Sequence, residues 1–382
     1  MKSSVEIFEE LKTQLNNKLP FVVYKKPGES FSKAIVQNDS QNFEANLTEA
    51  EGFIFAPFDS KDTAYLIPAA HSDVKEFRTE VREEDNKEAN IPDEFLDFEF
   101  RETDQKEHEI LVQKGIDAIK TGDLKKVVLA RSEEVSVHDP DPFRIYKNLI
   151  QKYPQAFVYL WFHPETGIWM GATPERLIRT ERTKFKTMAL AGTQVDKGSA
   201  EVEWRQKEIE EQLFVTDYIL ESLEKKEEVK TITAGKPFTS KAGKLLHICT
   251  EITGSMNTPG DLKGIIEALH PTPAVCGLPR EQAFNFIKSH EKFQREYYTG
   301  YLGEINYKTE VKRNSNRRNQ ENQQFGAISK RSDLFVNLRC MKLVNGKARI
   351  FVGGGITKDS NAAEEWMETV NKSQIMKSVL VK

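Results

Sequence analysis

The chain has 382 residues, of which 30% are charged and 38% hydrophobic, and its mean hydropathy is −0.57. This composition predicts a soluble protein with enough apolar mass for a core, and it argues against a disordered or membrane-embedded chain. The 55 Lys and Arg residues against 59 Asp and Glu residues give a net charge of −4, so there is no net electrostatic attraction to nucleic acid or anionic lipid.

The amino-terminal segment and the cysteines both predict a cytoplasmic protein. Glu6, Glu9 and Glu10 interrupt the apolar stretch that a secretory signal requires, and no window is apolar enough for a membrane-spanning helix. The three cysteines at positions 249, 276 and 340 are far apart and form no C-x-x-C pair. We therefore expect reduced packing residues, neither a disulfide framework nor a structural zinc site.

The first hundred residues predict strands joined by loops. Short apolar runs at 21–24 and 53–58 alternate with polar connectors, which is typical of strands. Residues 72–90 are rich in charge and poor in apolar side chains, so an exposed connector is predicted there. The length allows two or three domains of ordinary size or one large fold.

The remaining elements alternate irregularly between helix and strand. A helix is predicted from about residue 107 to Gly122, then a strand at 126–137, and a second helix after Asp141 and Pro142. Antiparallel strands follow in FVYLWF, GIWMGA and RLIRT, and further strands in YLGEINY, DLFVNLRCMKLV and KARIFVGGGI. Helices are predicted at 201–226, 281–289 and 362–379. This order favours an α+β or mixed α/β fold over a doubly wound nucleotide-binding fold.

Residues 308–331 form a basic segment with seven basic and two acidic residues. Because it lacks apolar periodicity, we interpret it as an exposed, mobile hairpin insertion. An anion or nucleic-acid patch is the alternative, but the segment has no interleaved aromatic residues on which bases could stack.

Two acidic pairs lie on predicted helices. Glu208 and Glu211 are three residues apart, as are Glu365 and Glu368, so each pair projects from one helical face. If the pairs meet across a cleft, four carboxylates require a cation between them, and an all-oxygen ligand set suits Mg²⁺. For the spacing alone, a solvated charged face is the favoured explanation.

Four other features carry possible chemistry. The glycine run 353–355 follows a strand pattern and permits close backbone approach to an anion, although a tight turn explains it as well. Arg339 lies in an apolar strand pattern, where an inward guanidinium requires an anionic partner. Lys126 directly precedes VVLAR and, if buried, becomes a candidate base. Glu175 in GATPERL is a candidate acid with a raised pKa. Taken singly, Lys126 and Glu175 are more often surface residues.

Ten short sequence motifs resemble, in type and in order along the chain, those of the chorismate-utilising enzymes, and among them the isochorismate synthases. The resemblance runs from about residue 111 to residue 380 and rests on the following strings: KVVLAR, GATPERL, ALAGT, KEIEEQLFV, LLHICTEITG, LHPTPAVCGLPR, REYYTGYLGEIN, FVNLRCMKL, FVGGGI and EEWMETVNK. It implies one α+β domain over residues 1–382, in which residues 1–105 are a divergent part and 106–382 the catalytic core. Two face-to-face antiparallel sheets are expected, with helices on the outside.

The resemblance also implies an isomerase that binds Mg²⁺ and the dianion chorismate and acts as a monomer, without nucleic-acid or membrane partners. Lys126 is then the base that activates water for addition at C2, and Glu175 is the acid that protonates the departing C4 hydroxyl. Glu211 and Glu368 hold the metal directly, and Glu208 and Glu365 hold it directly or through waters. Arg339 and Tyr298 bind the pyruvyl carboxylate. Further pocket residues by resemblance are Gly354 and Gly355 at that carboxylate, Lys372 near the metal, and Gly192, His247, Thr250 and Ala274 around the ring.

Three positions separate this chain from sister enzymes by resemblance. Lys126 stands where ammonia-using anthranilate synthases have glutamine, which favours water as the nucleophile. Ala191 stands where aminodeoxychorismate synthases carry a nucleophilic lysine. Ala274 stands where enzymes that release pyruvate tend to carry threonine. A salicylate synthase and a catalytically silent binding subunit remain alternatives; the pathway served is menaquinone, catechol-siderophore or salicylate synthesis.

Overall fold

A computed structural model of the chain describes residues 3–79, 102–137, 140–195, 202–242, 245–311 and 327–380. Its helices are α1 (Ser4–Asn16), α2 (Glu102–Lys120), α3 (Pro142–Lys152), α4 (Gln206–Glu224), α5 (Lys263–Leu269), α6 (Arg280–His290) and α7 (Ala362–Lys377). A single 3-10 turn spans Ala69–His71. Within the described ranges, no helix combines the length and apolar character that crossing a membrane requires.

The strands span two to 12 residues, and the pairings among the described strands are antiparallel. They are β1 (Phe21–Lys25), β2 (Phe31–Gln37), β3 (Gly52–Ala56), β4 (Tyr65–Pro68), β5 (Ser72–Arg78), β6 (Lys126–Ser136), β7 (Phe157–His163), β8 (Gly167–Thr173), β9 (Arg176–Glu181), β10 (Lys184–Val195), β11 (Val229–Ala234), β12 (Phe238–Ala242), β13 (Leu245–Met256), β14 (Gly277–Leu278), β15 (Tyr301–Val311), β16 (Ala327–Val336), β17 (Cys340–Val344) and β18 (Lys347–Ile356).

These strands form two sheets. Sheet A has the order β14-β6-β18-β17-β8-β7-β1-β2-β5, and sheet B has the order β11-β13-β10-β9-β16-β15-β3-β4, with β12 beside β13. The mixed helix and strand order predicted from the sequence is therefore confirmed as an α+β fold with two large antiparallel sheets. The first 79 residues contribute β1, β2 and β5 to sheet A and β3 and β4 to sheet B.

The core has a predominantly aromatic middle layer and outer layers that are richer in aliphatic residues. Phe55, Trp161 and Phe335 belong to a cluster drawn from both sheets, so the two sheets pack face to face through it. Phe21 and Val23, which alternate with members of that cluster along β1, face helices α1 and α3 instead. Because successive side chains point to opposite faces, every residue of β1 and β7 is buried.

Most predicted elements are present with shifted ends. The helix expected from about residue 107 begins at Glu102, and the helix expected from residue 201 begins at Gln206; residue 201 itself lies outside the described residues. Asp141 caps α3, since its Oδ1 accepts the backbone N–H of Phe143 at 2.9 Å. The three cysteines are buried, as expected of packing residues.

Two predictions for the first hundred residues are wrong. Residues 72–78 of the proposed exposed connector are strand β5, the edge of sheet A, where charged side chains face solvent and Phe77 alone is buried. An edge strand can carry that many charges because one side has no strand partner. The helix α1 was not predicted, although Ser3 and Glu6 form a capping box at its start. Residues 80–90 of the connector lie outside the described residues.

The strand predicted through DLFVNLRCMKLV is two strands in different sheets. β16 of sheet B ends at Val336, β17 of sheet A begins at Cys340, and Arg339 lies between them with φ of 47°. Apolar residues continue through this link because both sheets bury it, so alternation alone cannot reveal the crossing. The glycine run, by contrast, lies inside β18 and is paired with β6; it is not a turn after the strand.

The ends of the basic segment pair as a hairpin. Lys308 lies opposite Lys330, and the pairing continues to Val311 and Ala327. Residues 312–326, which contain most of the basic side chains, lie outside the described residues.

Candidate active site

Lys126 lies at the start of β6 and contacts helix α4. Its Nζ donates a hydrogen bond of 2.7 Å to Glu211 Oε1, and its side chain is 12% exposed. Gly355 on the adjacent strand β18 leaves room for this lysine, because a Cβ there would lie 3.1 Å from Lys126 Cε. The predicted base and one predicted metal ligand are thus direct neighbours.

Glu175 lies in the link between β8 and β9, beside a small cavity that Ala274 also lines. Its backbone is fixed on both sides: its N–H donates to Thr173 Oγ1 at 3.3 Å, and its C=O accepts from Val336 N at 2.9 Å. Burial raises the pKa of the Glu175 carboxyl to about 7, although the positive charges of Lys126 and Arg339 oppose that rise. A carboxyl with this pKa is half protonated near neutral pH, as a general acid requires.

Arg339 faces the same region from the link between the sheets. Its C=O accepts the N–H of Ala172 at 3.0 Å, which fixes the link against β8. Burial lowers the pKa of its guanidinium, and the charge of Glu175 is one of the two opposing influences. Arg339 and Glu175 therefore act on each other electrostatically.

The two acidic pairs are not gathered into one cluster. Glu365 and Glu368 flank Gly354, where a Cβ would lie 3.1 Å and 3.8 Å from their oxygens. Glu211 is bonded to Lys126, and the buried Glu208 accepts from Arg205 Nε at 2.9 Å. Over the residues that the structure describes, no three His, Cys, Asp or Glu side chains are arranged to hold a metal ion.

The chemistry of the donor set nevertheless fits a divalent cation. Glu365 Oε2 is buried and has no hydrogen-bond partner in the described structure. Burial is also the main reason that the pKa of Glu365 is raised, because a buried carboxylate without a cation is costly. An oxygen in that position is a suitable ligand for Mg²⁺, which prefers carboxylate oxygens.

Lys372 joins α7 to the glycine run of β18. Its Nζ donates to Glu368 Oε1 at 2.6 Å and to Gly353 O at 3.0 Å. Tyr298 is buried, its ring stacks on Phe351 with centroids 5.5 Å apart, and its hydroxyl lies beside Gly353. The sequence-predicted residues Lys372 and Tyr298 therefore reach the same stretch of strand.

The glycine run 353–355 also supplies a backbone donor, the N–H of Gly355. The N–H of Val128 bonds to Cys276 O, on the side of β6 away from β18. The facing pair of Val128 and Gly355 is therefore one without mutual hydrogen bonds, and the N–H of Gly355 points away from β6.

Gly192, His247 and Thr250 lie on the paired strands β10 and β13. Gly192 has φ of +72° at a bulge in β10, and a Cβ there would lie 3.0 Å from the Cβ of Glu208, so only glycine lets α4 pack this closely. Burial lowers the pKa of His247, and the charges of Lys372 and Arg339 add to that effect. The ring of His247 is therefore within electrostatic reach of both cations.

Two contacting side chains were not predicted. Gln212 is 1% exposed and donates to Thr250 Oγ1 at 2.5 Å and to Thr216 Oγ1 at 2.9 Å, so it fixes the Thr250 hydroxyl. Arg205 pairs with Glu208 from the residue before α4. The three-residue spacing of Arg205 and Glu208 could have predicted their contact. The contact of Gln212 with Thr250 depends on the fold.

A larger cavity in the described structure contains none of the predicted residues. It is lined by residues 287–288 and 291–296 together with Phe58, Asp59 and Asp62. Catalytic chemistry is therefore assigned by the side-chain contacts above and not by cavity size.

Comparison with known proteins agrees with the sequence resemblance. A family model described as "Chorismate binding enzyme" matches residues 54–312, about two thirds of the chain, and a second model of the same description matches residues 324–378. The chain belongs to the chorismate-binding enzyme family. The resemblance proposed from the ten sequence strings is thus confirmed at the level of the family.

Individual members of the chorismate-binding enzyme family show how far the similarity extends. The chain is 28% identical over 285 residues to the salicylate biosynthesis isochorismate synthase of Pseudomonas aeruginosa, a match covering 72% of this chain and 55% of that protein. It is 25% identical over 283 residues to anthranilate synthase component 1 of Saccharolobus solfataricus, covering 72% and 62% respectively. The chain thus matches little more than half the length of such relatives.

A solved structure of the family shares the fold. The putative 2,3-dihydroxybenzoate-specific isochorismate synthase DhbC from Bacillus anthracis aligns with a TM-score of 0.70 at 21% identity, over 97% of this chain and 99% of that one. At this identity the likeness concerns the fold, which agrees with the two face-to-face sheets described above.

Proposed function

We propose that this chain is a cytoplasmic, Mg²⁺-dependent isochorismate synthase that acts as a monomer. It converts chorismate to isochorismate: the oxygen of water bonds to C2, and the C4 hydroxyl leaves as water after it is protonated. The observation that carries the proposal is Glu175, a carboxyl whose pKa is raised to about 7 within electrostatic reach of Lys126 and Arg339. A reaction in which a hydroxyl group leaves needs an acid to protonate it.

Lys126 is the proposed base. Its unprotonated amine takes a proton from the attacking water, and Glu211 Oε1, 2.7 Å from Nζ, fixes the position of the amine and stabilises the ammonium that forms. Glu175 gives its proton to the departing C4 oxygen. One proton is accepted and one donated, so chorismate and isochorismate have the same composition.

The dianionic substrate is held by cations and backbone donors in this proposal. Arg339 binds the pyruvyl carboxylate together with Tyr298 and the backbone N–H of Gly355, which points away from β6. Lys372, already anchored on Gly353 O, lies near the ring carboxylate. Burial strengthens such contacts because water screens them less.

Four carboxylates would hold Mg²⁺: Glu211 and Glu368 directly, and Glu208 and Glu365 directly or through waters. The chemistry supplied by a bound ion is neutralisation and orientation of the ring carboxylate. The unpartnered Oε2 of Glu365 supports this assignment.

Water is favoured over ammonia as the nucleophile because Lys126 replaces the glutamine of anthranilate synthases. Ala191 on β10 carries no nucleophile, and Ala274 beside Glu175 favours a reaction that stops at isochorismate. The product would feed menaquinone, catechol-siderophore or salicylate synthesis.

The test is incubation of purified protein with chorismate and Mg²⁺, with and without EDTA, and separation of the products by chromatography. Metal-dependent isochorismate without stoichiometric pyruvate is the expected result. Salicylate with pyruvate would replace the proposal by a salicylate synthase, and anthranilate formed with added ammonium salts would replace it by an anthranilate synthase. No turnover under any of these conditions would favour a binding subunit.

A further inference from the structure

Glu291 and Arg295 form a buried ion pair beside strand β6. Their side chains are 2% and 3% exposed, and the guanidinium donates twice to the carboxylate, from Nε at 2.8 Å and from Nη2 at 2.6 Å. Removing both charges from water is costly unless every donor finds an acceptor. The contacts of this pair are therefore informative about what it does.

All five donors of the guanidinium are used. Besides the two bonds to Glu291, Nη2 donates to Val128 O at 2.8 Å, and Nη1 donates to Val275 O at 2.9 Å and to Thr299 Oγ1 at 3.3 Å. The carboxylate in turn accepts the N–H of Ala130 at 2.8 Å. The pair thus ties three separate segments of backbone and side chain to one rigid fork.

Beyond the end of β14, the ion pair hydrogen-bonds to the edge of β6, where a neighbouring strand would otherwise pair. The short strand β14 pairs with β6 only at Lys126 and Val127, and the backbone contact ends with Val128 N on Cys276 O. The next polar groups on that edge, Val128 O and Ala130 N, are satisfied by Arg295 and Glu291. Buried backbone groups need partners, so this edge is held by side chains beyond the end of β14.

Each tied segment carries a residue of the proposed active site. Val128 is two residues after Lys126, Val275 follows Ala274, and Thr299 follows Tyr298. The guanidinium also lies 5.9 Å from the ring centroid of Tyr298.

We propose that Glu291 and Arg295 are positioning residues that set the relative placement of Lys126, Ala274 and Tyr298. This inference rests on the proposed function for the roles of those three residues. It assigns no chemical step to the ion pair, which reaches the site through backbone atoms.

Two variants test the proposal against one control. Arg295→Lys keeps the charge but has three donors in place of five, so it cannot span the same acceptors. Replacement of both residues by methionine removes the charges at similar volume, which buried ion pairs often tolerate. The control is Glu304→Gln, because Glu304 is also a carboxylate with a 1% exposed side chain, and its hydrogen bonds come from Tyr24, Lys26, Lys33 and Arg331, which are not residues of β6.

The readouts are kcat and KM for chorismate well below the unfolding temperature of each variant. We expect kcat to fall about 10- to 100-fold in both test variants with a small change in KM, because displacement of a base by about 1 Å is that costly. Glu304→Gln should lower the unfolding temperature but leave kcat unchanged. Test variants that fold, lose stability like the control and keep the kcat of the parent protein would overturn the proposal.

A second readout does not require activity. At one fixed pH, the rate of reductive methylation of Lys126 is followed by peptide mass spectrometry. Displacement of β6 weakens the bond of Lys126 to Glu211, so labelling should be faster in both test variants than in the parent and in Glu304→Gln. If the parent forms no isochorismate, the proposed function fails while this rate still decides the positioning role; equal rates in all four proteins would refute it.

Discussion

The pKa of Glu175 leads to a quantitative prediction for the pH dependence of turnover. With the pKa raised by burial to about 7, the carboxyl is about 90% protonated at pH 6 and about 10% protonated at pH 8. If Glu175 is the general acid, kcat/KM should therefore show an alkaline limb that falls about tenfold per pH unit above pH 8. The alkaline limb should have its midpoint near pH 7.

Glu175→Gln tests the assignment because the amide keeps the shape of the side chain but cannot supply the proton. We expect turnover to fall by about 10²-fold or more and the alkaline limb at pH 7 to vanish. Glu175→Asp is the matched control: it keeps an acid on a shorter arm, so reduced activity with a persisting alkaline limb is expected. The assay is the initial rate of isochorismate formation between pH 5.5 and 9 at chorismate concentrations well below KM, which reports kcat/KM. An unchanged limb in Glu175→Gln would show that another group titrates.

The other predictions concern the base, the metal and the charge clusters. Lys126→Ala should lower turnover by about 10²-fold with chorismate affinity largely kept. The control is Lys125→Ala, which should behave as the parent because the side chain of Lys125 lies over the ring of Phe214. Equal losses in the two variants would exclude a specific role for Lys126. Glu211→Ala should raise the Mg²⁺ concentration for half-maximal rate, and the neighbouring Glu210→Ala should not; coincident metal titrations would remove Glu211 from the site. Lys26 and Lys33 overcome the burial of Glu304 and lower its pKa from 4.5 to about 2, so that carboxylate contributes about 3 kcal/mol above pH 4.5, lost as the pH falls towards 2. Glu304→Gln should be less stable at pH 7 in denaturant unfolding and lack this acid dependence; an identical acid dependence in the variant would contradict it.

The sequence predicts elements well where local pattern and burial coincide. The helix after Asp141 was predictable because a capping residue and proline mark its start, and β7 was predictable from its apolar run. Strand β5 was not, because an edge strand of mostly charged residues has the composition of a loop. The position of Arg339 between two sheets also depends on which strands pair, and that is a property of the whole fold.

The candidate site shows the same division. The identity of Lys126 and Glu211 as site residues came from resemblance, but their mutual hydrogen bond depends on how α4 packs against β6. The bond of Gln212 to Thr250 was likewise out of reach, since 38 residues separate them. Arg295 begins the string REYYTGYLGEIN and Glu291 lies four residues before it, yet nothing in that spacing indicates that the pair completes the edge of β6.

The two glutamates with opposite pKa shifts explain what makes one of them an acid. Burial acts to raise the pKa of both Glu175 and Glu304, but the net shift of Glu304 is downward. Lys26 and Lys33 bond directly to Glu304, and these contacts outweigh the burial. Lys126 and Arg339 act on Glu175 only through their charge, and no cation in the described ranges forms an ion pair with it, so burial prevails. The proposed role of Glu175 as an acid therefore depends on cations that act on it through their charge and do not bond to it.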